Sequence, residues 1–124
     1  KKYRRGGMQM LSAELLSFIV GNLIIKNMVD RLRPCQIDET VSLIVKIPFD
    51  SSFPSGHTLN GITAAVTLMF IDKRMGIPAI VLAVLIAFSR MYNFMHFPTD
   101  VLAGAVLGVV SAVFVNFLFK RAGN

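Results

Sequence analysis

The sequence predicts an all-α protein, a multi-pass transmembrane bundle with four helices in this chain. Of its 124 residues 54% are hydrophobic and 16% are charged, and the mean hydropathy is +0.62. Soluble domains carry about 25% charged residues, so this composition excludes an ordinary soluble domain. The single cysteine, Cys35, excludes an internal disulfide and a cysteine-based zinc site.

Four apolar segments are expected to form the helices, at about 8–29, 57–71, 77–92 and 98–119. A bilayer-spanning helix needs about 20 residues, and only the last segment reaches that length cleanly. The second and third segments reach about 20 residues only when their polar ends are counted as part of the helix. Polar ends of this kind are expected in helices whose ends line a polar pocket. We therefore predict one membrane-embedded domain over residues 1–124, with an outer loop at about 34–54.

The basic residues indicate how the segments cross the membrane. Three clusters flank the apolar segments: Lys1, Lys2, Arg4 and Arg5; Lys73 and Arg74; Lys120 and Arg121. Four crossings put all three clusters on one side, as the positive-inside rule requires of the cytoplasmic face. The net charge of +6 is thus explained by topology, and no continuous basic face indicates nucleic-acid binding.

A first polar cluster, "KNMVDRLRP", closes the first segment on the outer side. Lys26 and Arg33 are two helical turns apart, so we expect them on one helix face, about 10 Å apart along the axis. Pro34 disfavours helical geometry at Arg33 and is expected to end the helix there. By itself this pair favours an interfacial anchor over a binding site.

A second cluster, "FPSGH", opens the second segment. Ser55 can cap the helix, and Gly56 lets a ligand approach the backbone closely. The exposed N–H groups of a helix start form an anion site, and His57 lies in its first turn. A plain capped helix start explains the same residues.

A third cluster, "SRMYNFMHFPTD", joins the third and fourth segments. Arg90 ends one helix, and Pro98 is well placed to begin the next. Asp100 follows His96 by four residues, and a carboxylate near an imidazole fixes its tautomer so that the other nitrogen can attack an electrophile. A His–Asp pair that only caps the last helix remains possible.

Together the clusters predict a phosphate site on the outer side. Three cations and few acids suit a phosphate better than a metal ion, and phosphoryl transfer needs such charge neutralisation. The cations are Lys26, Arg33 and Arg90. One histidine can attack phosphorus while the other protonates the leaving oxygen.

In this order and spacing, the three motifs resemble the signature of the type 2 phosphatidic acid phosphatase superfamily. The motifs are Lys-x6-Arg-Pro at 26–34, Pro-Ser-Gly-His at 54–57 and Ser-Arg-x5-His-x3-Asp at 89–100. The superfamily includes membrane lipid phosphatases, soluble acid phosphatases and vanadium haloperoxidases. The resemblance implies that the bundle corresponds to the core of the six-helix lipid phosphatase fold.

The resemblance also implies roles for the motif residues. His96 would be the nucleophile that forms a phosphohistidine, Asp100 would orient it, and His57 would be the general acid. Phosphate oxygens would be held by five groups: Lys26, Arg33, Arg90, Ser55 and the Gly56 N–H. No metal or other cofactor would be required. The substrate would be a lipid phosphate or diphosphate of the polyprenyl diphosphate, phosphatidylglycerol phosphate or phosphatidic acid type.

Two departures from the family pattern are visible. Many members have glycine two residues before the third-motif histidine, where this chain has Phe94. Membrane members commonly have six helices, whereas this chain resembles the last four, so we expect either a compact form or the absence of two leading helices.

Three other functions share parts of these observations. A vanadate-dependent haloperoxidase would use the same pocket, but the short chain and apolar segments disfavour it. A soluble acid phosphatase is disfavoured by the hydropathy and the charge pattern. A non-catalytic lipid-phosphate binder or transporter would need the cations but not His57, His96 and Asp100.

Overall fold

The computed structural model describes residues 1–38, 40, 42–44 and 46–123. These residues form four long helices and one short one: α1 (Lys2–Met28), α2 (Pro34–Ile37), α3 (Gly56–Ile71), α4 (Lys73–Tyr92) and α5 (Pro98–Ala122). By length and composition α1, α4 and α5 could each cross a membrane, and α3 is a shorter apolar helix. The predicted all-α class is confirmed, with three helices of membrane-spanning length and a fourth, shorter apolar helix among the described residues.

The helix bounds differ from the predicted ones at the charged ends. Helix α1 begins at Lys2 rather than near residue 8, and α4 begins at Lys73 rather than 77. Hydropathy marks only the apolar stretch, whereas Lys and Arg are good helix formers and extend the helices beyond it. At the start of α4 the Asp72 side chain accepts a hydrogen bond from the Arg74 N–H at 3.0 Å. Positions 39, 41 and 45 of the predicted outer loop lie outside the described residues.

The first helix ends earlier than predicted. Helix α1 stops at Met28, and Val29 is already extended (φ −107°, ψ 104°). Lys26 and Arg33 therefore do not share a helix face, and that prediction is wrong. The extended segment after Met28 carries Arg33 back over the bundle, where its guanidinium hydrogen-bonds the loop before α5.

Helix α3 lies at the centre of the bundle and packs against α1, α4 and α5. Glycines permit the closest approach, because a Cβ added to Gly104 would lie 2.7 Å from the Ser55 carbonyl oxygen. A Cβ on Gly108 would lie 2.9 Å from the Leu59 carbonyl oxygen. Such small-residue contacts are typical of helices packed within a membrane, and here they fix α5 against the start of α3.

Many small and polar side chains lie in the interior together with Leu59 and Met95, whereas most large apolar side chains point outward. Thr63 and Thr67 are fully buried and donate to the carbonyl oxygens of Leu59 and Thr63, both at 2.7 Å. Large apolar residues of α4 are more than half exposed: Val81, Leu82, Val84, Leu85 and Phe88. This distribution suits a hydrocarbon surround, in which outward apolar side chains carry no penalty.

The three basic clusters gather at one end of the bundle. Tyr3 donates to the Asp72 carboxylate at 3.3 Å, and Lys2 lies 3.9 Å from the same group. Arg5 donates to the carbonyl oxygen of Phe119 near the end of α5. The predicted grouping of the basic clusters is therefore present in the folded chain.

Candidate active site

A cavity of about 430 Å³ opens at the end of the bundle that is opposite the basic clusters. Its walls come from the end of α1, the start of α3, the end of α4 and the two connections on this side. Six predicted site residues line it: Lys26, Arg33, Gly56, His57, Arg90 and His96. Asp50, which the sequence analysis did not select, lines it too.

Arg33 is buried in the wall of this cavity although it is a charged residue, with 2% of its surface exposed. It precedes Pro34 and has the extended backbone (φ −76°, ψ 153°) that a following proline favours. Its Nη1 donates to the Met95 carbonyl oxygen at 3.0 Å and lies 3.1 Å from His96 Nε2. Its Nη2 donates to Asp50 Oδ1 at 2.7 Å.

His96 is held by the turn between α4 and α5. Its backbone N–H and that of Met95 both donate to the Arg90 carbonyl oxygen, at 3.3 and 3.1 Å. The ring Nδ1 lies 2.7 Å from the carbonyl oxygen of Ser52. A carbonyl only accepts and a guanidinium only donates, so Nδ1 carries the proton and the unprotonated Nε2 directs its lone pair to Arg33 in the cavity wall.

The surroundings of His96 keep its imidazole neutral. Burial and the positive charge of Arg33 lower the pKa of His96 from 6.5 to about 4, although the hydrogen bond to Ser52 and the charge of Asp100 act in the opposite direction. A neutral imidazole with an unprotonated Nε2 is the nucleophilic form of the side chain.

Asp100 lies behind His96, in the first turn of α5, and is fully buried. Its Oδ2 is 3.8 Å from His96 Nδ1, beyond hydrogen-bond distance. Oδ2 instead accepts from the Ser52 hydroxyl and from the Phe97 N–H at 2.8 Å. Oδ1 accepts from Arg31 Nη1 at 2.9 Å. Ser52 therefore connects the two motif residues, through its carbonyl to His96 and through its hydroxyl to Asp100.

The start of α3 presents backbone N–H groups to the cavity. Ser55 is the N-cap, as expected, and its buried hydroxyl interacts with the Thr58 N–H (3.5 Å) and Oγ1 (3.0 Å). The Ser55 hydroxyl is thus directed into the helix start. Gly56 and His57 follow as the first helical residues, whose N–H groups have no acceptor within a helix. A Cβ on Gly56 would lie 3.2 Å from the Asn22 side-chain oxygen.

The remaining two cations differ in their pairing. Lys26, in α1, is buried and donates to Asp50 Oδ2 at 3.1 Å. Arg90, in the last turn of α4, lines the cavity, and its buried Nε has no hydrogen-bond partner among the described residues. A buried guanidinium N–H without an acceptor is costly, and the Nε of Arg33 is in the same condition among the described residues.

Phe94 occupies a backbone conformation that normally favours glycine. Its φ is +57°, in the left-handed region. Its carbonyl oxygen accepts from the Cys35 N–H at 3.0 Å, which ties α2 to the turn before His96. The loop in this chain thus keeps a left-handed residue here although the residue is not glycine.

Sequence reasoning missed three residues that contact the predicted site: Arg31, Asp50 and Ser52. Arg31 lies within the first motif segment, two residues before Arg33. This spacing gave no reason to predict its hydrogen bond to Asp100. Asp50 and Ser52 precede the second motif in a polar connection without periodicity. Their roles depend on how this connection folds over the cavity.

The apolar helices and the cavity indicate an integral membrane protein with a pocket lined by two histidines and three cations. A sequence profile of the PAP2 superfamily matches residues 6–123. The chain therefore belongs to the PAP2 superfamily, as its motifs predicted.

Known relatives match most of this chain. It is 37% identical over 109 residues to an undecaprenyl-diphosphatase of Sulfolobus acidocaldarius, covering 87% of this chain and 52% of that protein. It is 35% identical over 103 residues to the bacitracin transport permease protein BcrC of Bacillus licheniformis, covering 83% and 48%. The crystal structure of a transmembrane PAP2 type phosphatidylglycerolphosphate phosphatase from Bacillus subtilis superimposes with a TM-score of 0.76 at 29% identity, covering 93% and 59%. The chain thus spans about half the length of the curated relatives it matches.

Proposed function

We propose that this chain carries the active site of a membrane lipid phosphatase, which hydrolyses a lipid phosphate or diphosphate through a phosphohistidine on His96. The contact that carries the proposal is the one between Arg33 Nη1 and His96 Nε2, at 3.1 Å. It places a permanent cation beside an unprotonated nitrogen in one cavity, which is what attack on an anionic phosphoryl group needs.

In the first step the headgroup binds with its phosphoryl oxygens near Lys26, Arg33, Arg90 and the N–H groups that begin α3. His96 Nε2 attacks phosphorus, and a N–P bond forms as the bond to the leaving oxygen breaks. His57, in the first turn of α3, gives its proton to that oxygen. Protein side chains supply the positive charge, so the proposal requires no metal.

In the second step water attacks the phosphohistidine, His57 takes the water's proton, and inorganic phosphate leaves. The N–P bond breaks, and its electron pair returns to Nε2. Asp100 stabilises the positive charge that the phosphorylated ring carries, since its carboxylate lies 3.8 Å from Nδ1. Substrates of the polyprenyl diphosphate and phosphatidylglycerol phosphate types are supported by the names of the relatives from Sulfolobus and Bacillus subtilis.

We further propose that the cavity faces the extracytoplasmic side of the cytoplasmic membrane. The basic clusters lie at the opposite end of the bundle, as the contacts around Asp72 indicate, and basic ends remain cytoplasmic. A lipid headgroup would reach the cavity from the outer leaflet while its tail stayed in hydrocarbon.

A lipid-phosphate binder or transporter is the second candidate, and the name of the Bacillus licheniformis relative, a transport permease protein, supports transport in general. Such a protein needs the cations of the cavity but no nucleophile. Loss of His96 would then leave its function intact, whereas a phosphatase would lose its activity.

The test is release of inorganic phosphate by the detergent-purified protein from a panel of lipid phosphates and diphosphates, in the presence of a chelator. His96→Ala should abolish release, and vanadate should inhibit the unmodified protein. Alkaline quenching should recover a phosphohistidine only when His96 is present. No release from any lipid, with phosphate binding retained in both proteins, would support the binder instead.

A further inference from the structure

The Asp50 carboxylate is the one group in the described cavity wall whose charge opposes phosphate binding. It belongs to the connection before α3, and about half of its side chain is exposed. Its Oδ1 accepts from Arg33 Nη2 at 2.7 Å, and its Oδ2 accepts from Lys26 Nζ at 3.1 Å. Each carboxylate oxygen is therefore bound to a different cation of the first motif.

This arrangement is the one that two phosphate oxygens would adopt. A carboxylate and a phosphate both offer two acceptor oxygens to an arginine and a lysine. Burial raises the pKa of Asp50, but the hydrogen bonds from Arg33 and Lys26 outweigh it and keep the pKa below its ordinary value. Asp50 is thus an anion in a position where the proposed mechanism requires the substrate's anion.

The nucleophile is covered in the same state. Arg33 Nη1 lies 3.1 Å from His96 Nε2, along the direction from which phosphorus would have to arrive. Asp50 holds the other terminal nitrogen of this guanidinium, so release of Asp50 leaves Nη2 available to a ligand while the Met95 and Ser51 carbonyl oxygens still hold the side chain. One exchange therefore gives the ligand the cation pair that lies beside the nucleophile.

We propose that Asp50 occupies the phosphate subsite in the resting protein, and that a headgroup must displace it from Lys26 and Arg33 in order to bind. Asp50 is then a specificity-determining residue, because it sets how much negative charge a headgroup needs. A phosphomonoester or diphosphate brings about two or more charges and displaces a single carboxylate. The phosphodiester of an ordinary phospholipid brings one charge and leaves the site closed. This inference rests on the proposed function for its account of the subsite.

According to the proposal, displacing Asp50 from Lys26 and Arg33 weakens phosphate binding. Removing the charge of this carboxylate should therefore strengthen phosphate binding. Asp50→Asn keeps the size of the side chain but cannot neutralise the two cations. We expect it to bind inorganic phosphate at least fivefold more tightly than the unmodified protein. We also expect dimethyl phosphate, a singly charged diester, to bind measurably only to the variant.

Binding is measured by titration calorimetry on the detergent-purified protein, so that the result does not depend on turnover. Asp30→Asn is the matched control, because this substitution removes the same charge. Asp30 is exposed and is absent from the cavity wall. Asp50→Ala serves as a second variant if Asp50→Asn fails to fold, and thermal unfolding of each variant reports its integrity.

Two outcomes would overturn the proposal. Unchanged or weaker phosphate binding by Asp50→Asn would show that Asp50 positions the cations instead of competing with the ligand. No phosphate binding by any of the proteins would show that the cavity is not a phosphate subsite. If the unmodified protein binds phosphate and Asp50→Asn binds it more tightly, the proposal stands even where no lipid is hydrolysed, and only the proposed function fails.

Discussion

Arg33 and His96 contact each other at 3.1 Å between Nη1 and Nε2, and both side chains are almost completely buried. The guanidinium is always charged and can only donate, so the contact assigns an unprotonated Nε2 to the resting protein. The carbonyl of Ser52 assigns the proton to Nδ1 from the other side. Two fixed partners therefore select one tautomer before any ligand arrives.

The tautomer can be observed directly. The chain has two histidines, so His57→Asn leaves His96 as the only source of an imidazole ¹⁵N signal. Because burial and Arg33 lower the pKa of His96 to about 4, we expect a protonated Nδ1 and an unprotonated Nε2 from pH 8 down to 5.5. Protonation should appear only as the pH falls further. A midpoint near the ordinary value of about 6.5 would contradict the assignment.

His57 and His96 should respond differently to the leaving group. A general acid contributes roughly 10²–10⁴ in rate, so His57→Asn should lose that much with a lipid alkoxide leaving group. With p-nitrophenyl phosphate, whose phenolate departs without a proton, the variant should give a burst of nitrophenol and accumulate phosphohistidine. His96→Ala should give no burst with either substrate. A burst from His96→Ala would assign the nucleophile to another residue.

Arg31 should stabilise the protein through Asp100. Its Nη1 lies 2.9 Å from the fully buried Asp100 Oδ1, and the guanidinium also stacks 4.3 Å from the centroid of the Phe97 ring. Arg31→Gln removes the counter-charge of a buried carboxylate and should lower the free energy of unfolding by about 1–3 kcal/mol. Arg31→Lys should recover part of this loss.

A double-mutant cycle with Asp100→Asn separates this ion pair from the stacking contact. The two substitutions should be strongly non-additive, since each removes the same interaction. Additive losses would mean that Arg31 stabilises the loop through Phe97 alone. Denaturant titration in mixed micelles supplies the free energies.

Gly104 should tolerate no side chain, in contrast to Gly7. A Cβ on Gly104 would lie 2.7 Å from the Ser55 carbonyl oxygen, whereas a Cβ on Gly7 meets nothing within 4 Å. Overpacking costs about 1–3 kcal/mol, so Gly104→Ala should lower both the stability and, by displacing the start of α3, phosphate binding. Gly7→Ala should stabilise α1 by about 0.5–1 kcal/mol. Equal effects at the two positions would contradict the close contact between α3 and α5.

The sequence predicted the helices and the cavity residues for one physical reason. The length of apolar segments, the positions of charged residues and the Pro and Gly residues are local features of the sequence. From them the positions of α3 and α5, and the presence of the three motifs at one end of the bundle, could be predicted. Pro98 at the start of α5 and Ser55 as the N-cap of α3 were both correct. Such features are visible in a few consecutive residues.

The details of the cavity depend on contacts between distant segments, and these were not predictable. The helix expected to carry Arg33 ends at Met28, and Arg33 is held by groups that are distant in sequence. Ser52 is 44 positions from His96, and its carbonyl is a backbone group that no side-chain pattern reveals. The prediction that Asp100 orients His96 stays a prediction, since Ser52 stands between them.

The distribution of side-chain sizes across the bundle has a consequence for how this sequence can change. Several buried positions that hold the helices together are small, as at Gly104, Gly108 and Thr63, and a methyl group added at either glycine meets a backbone carbonyl oxygen. The outward positions are large, and any apolar residue serves equally well against lipid tails. Substitutions should therefore accumulate among the outward leucines, valines and phenylalanines, while the small buried residues resist replacement. In a water-soluble protein, by contrast, the large apolar residues lie in the core and are the ones that resist replacement.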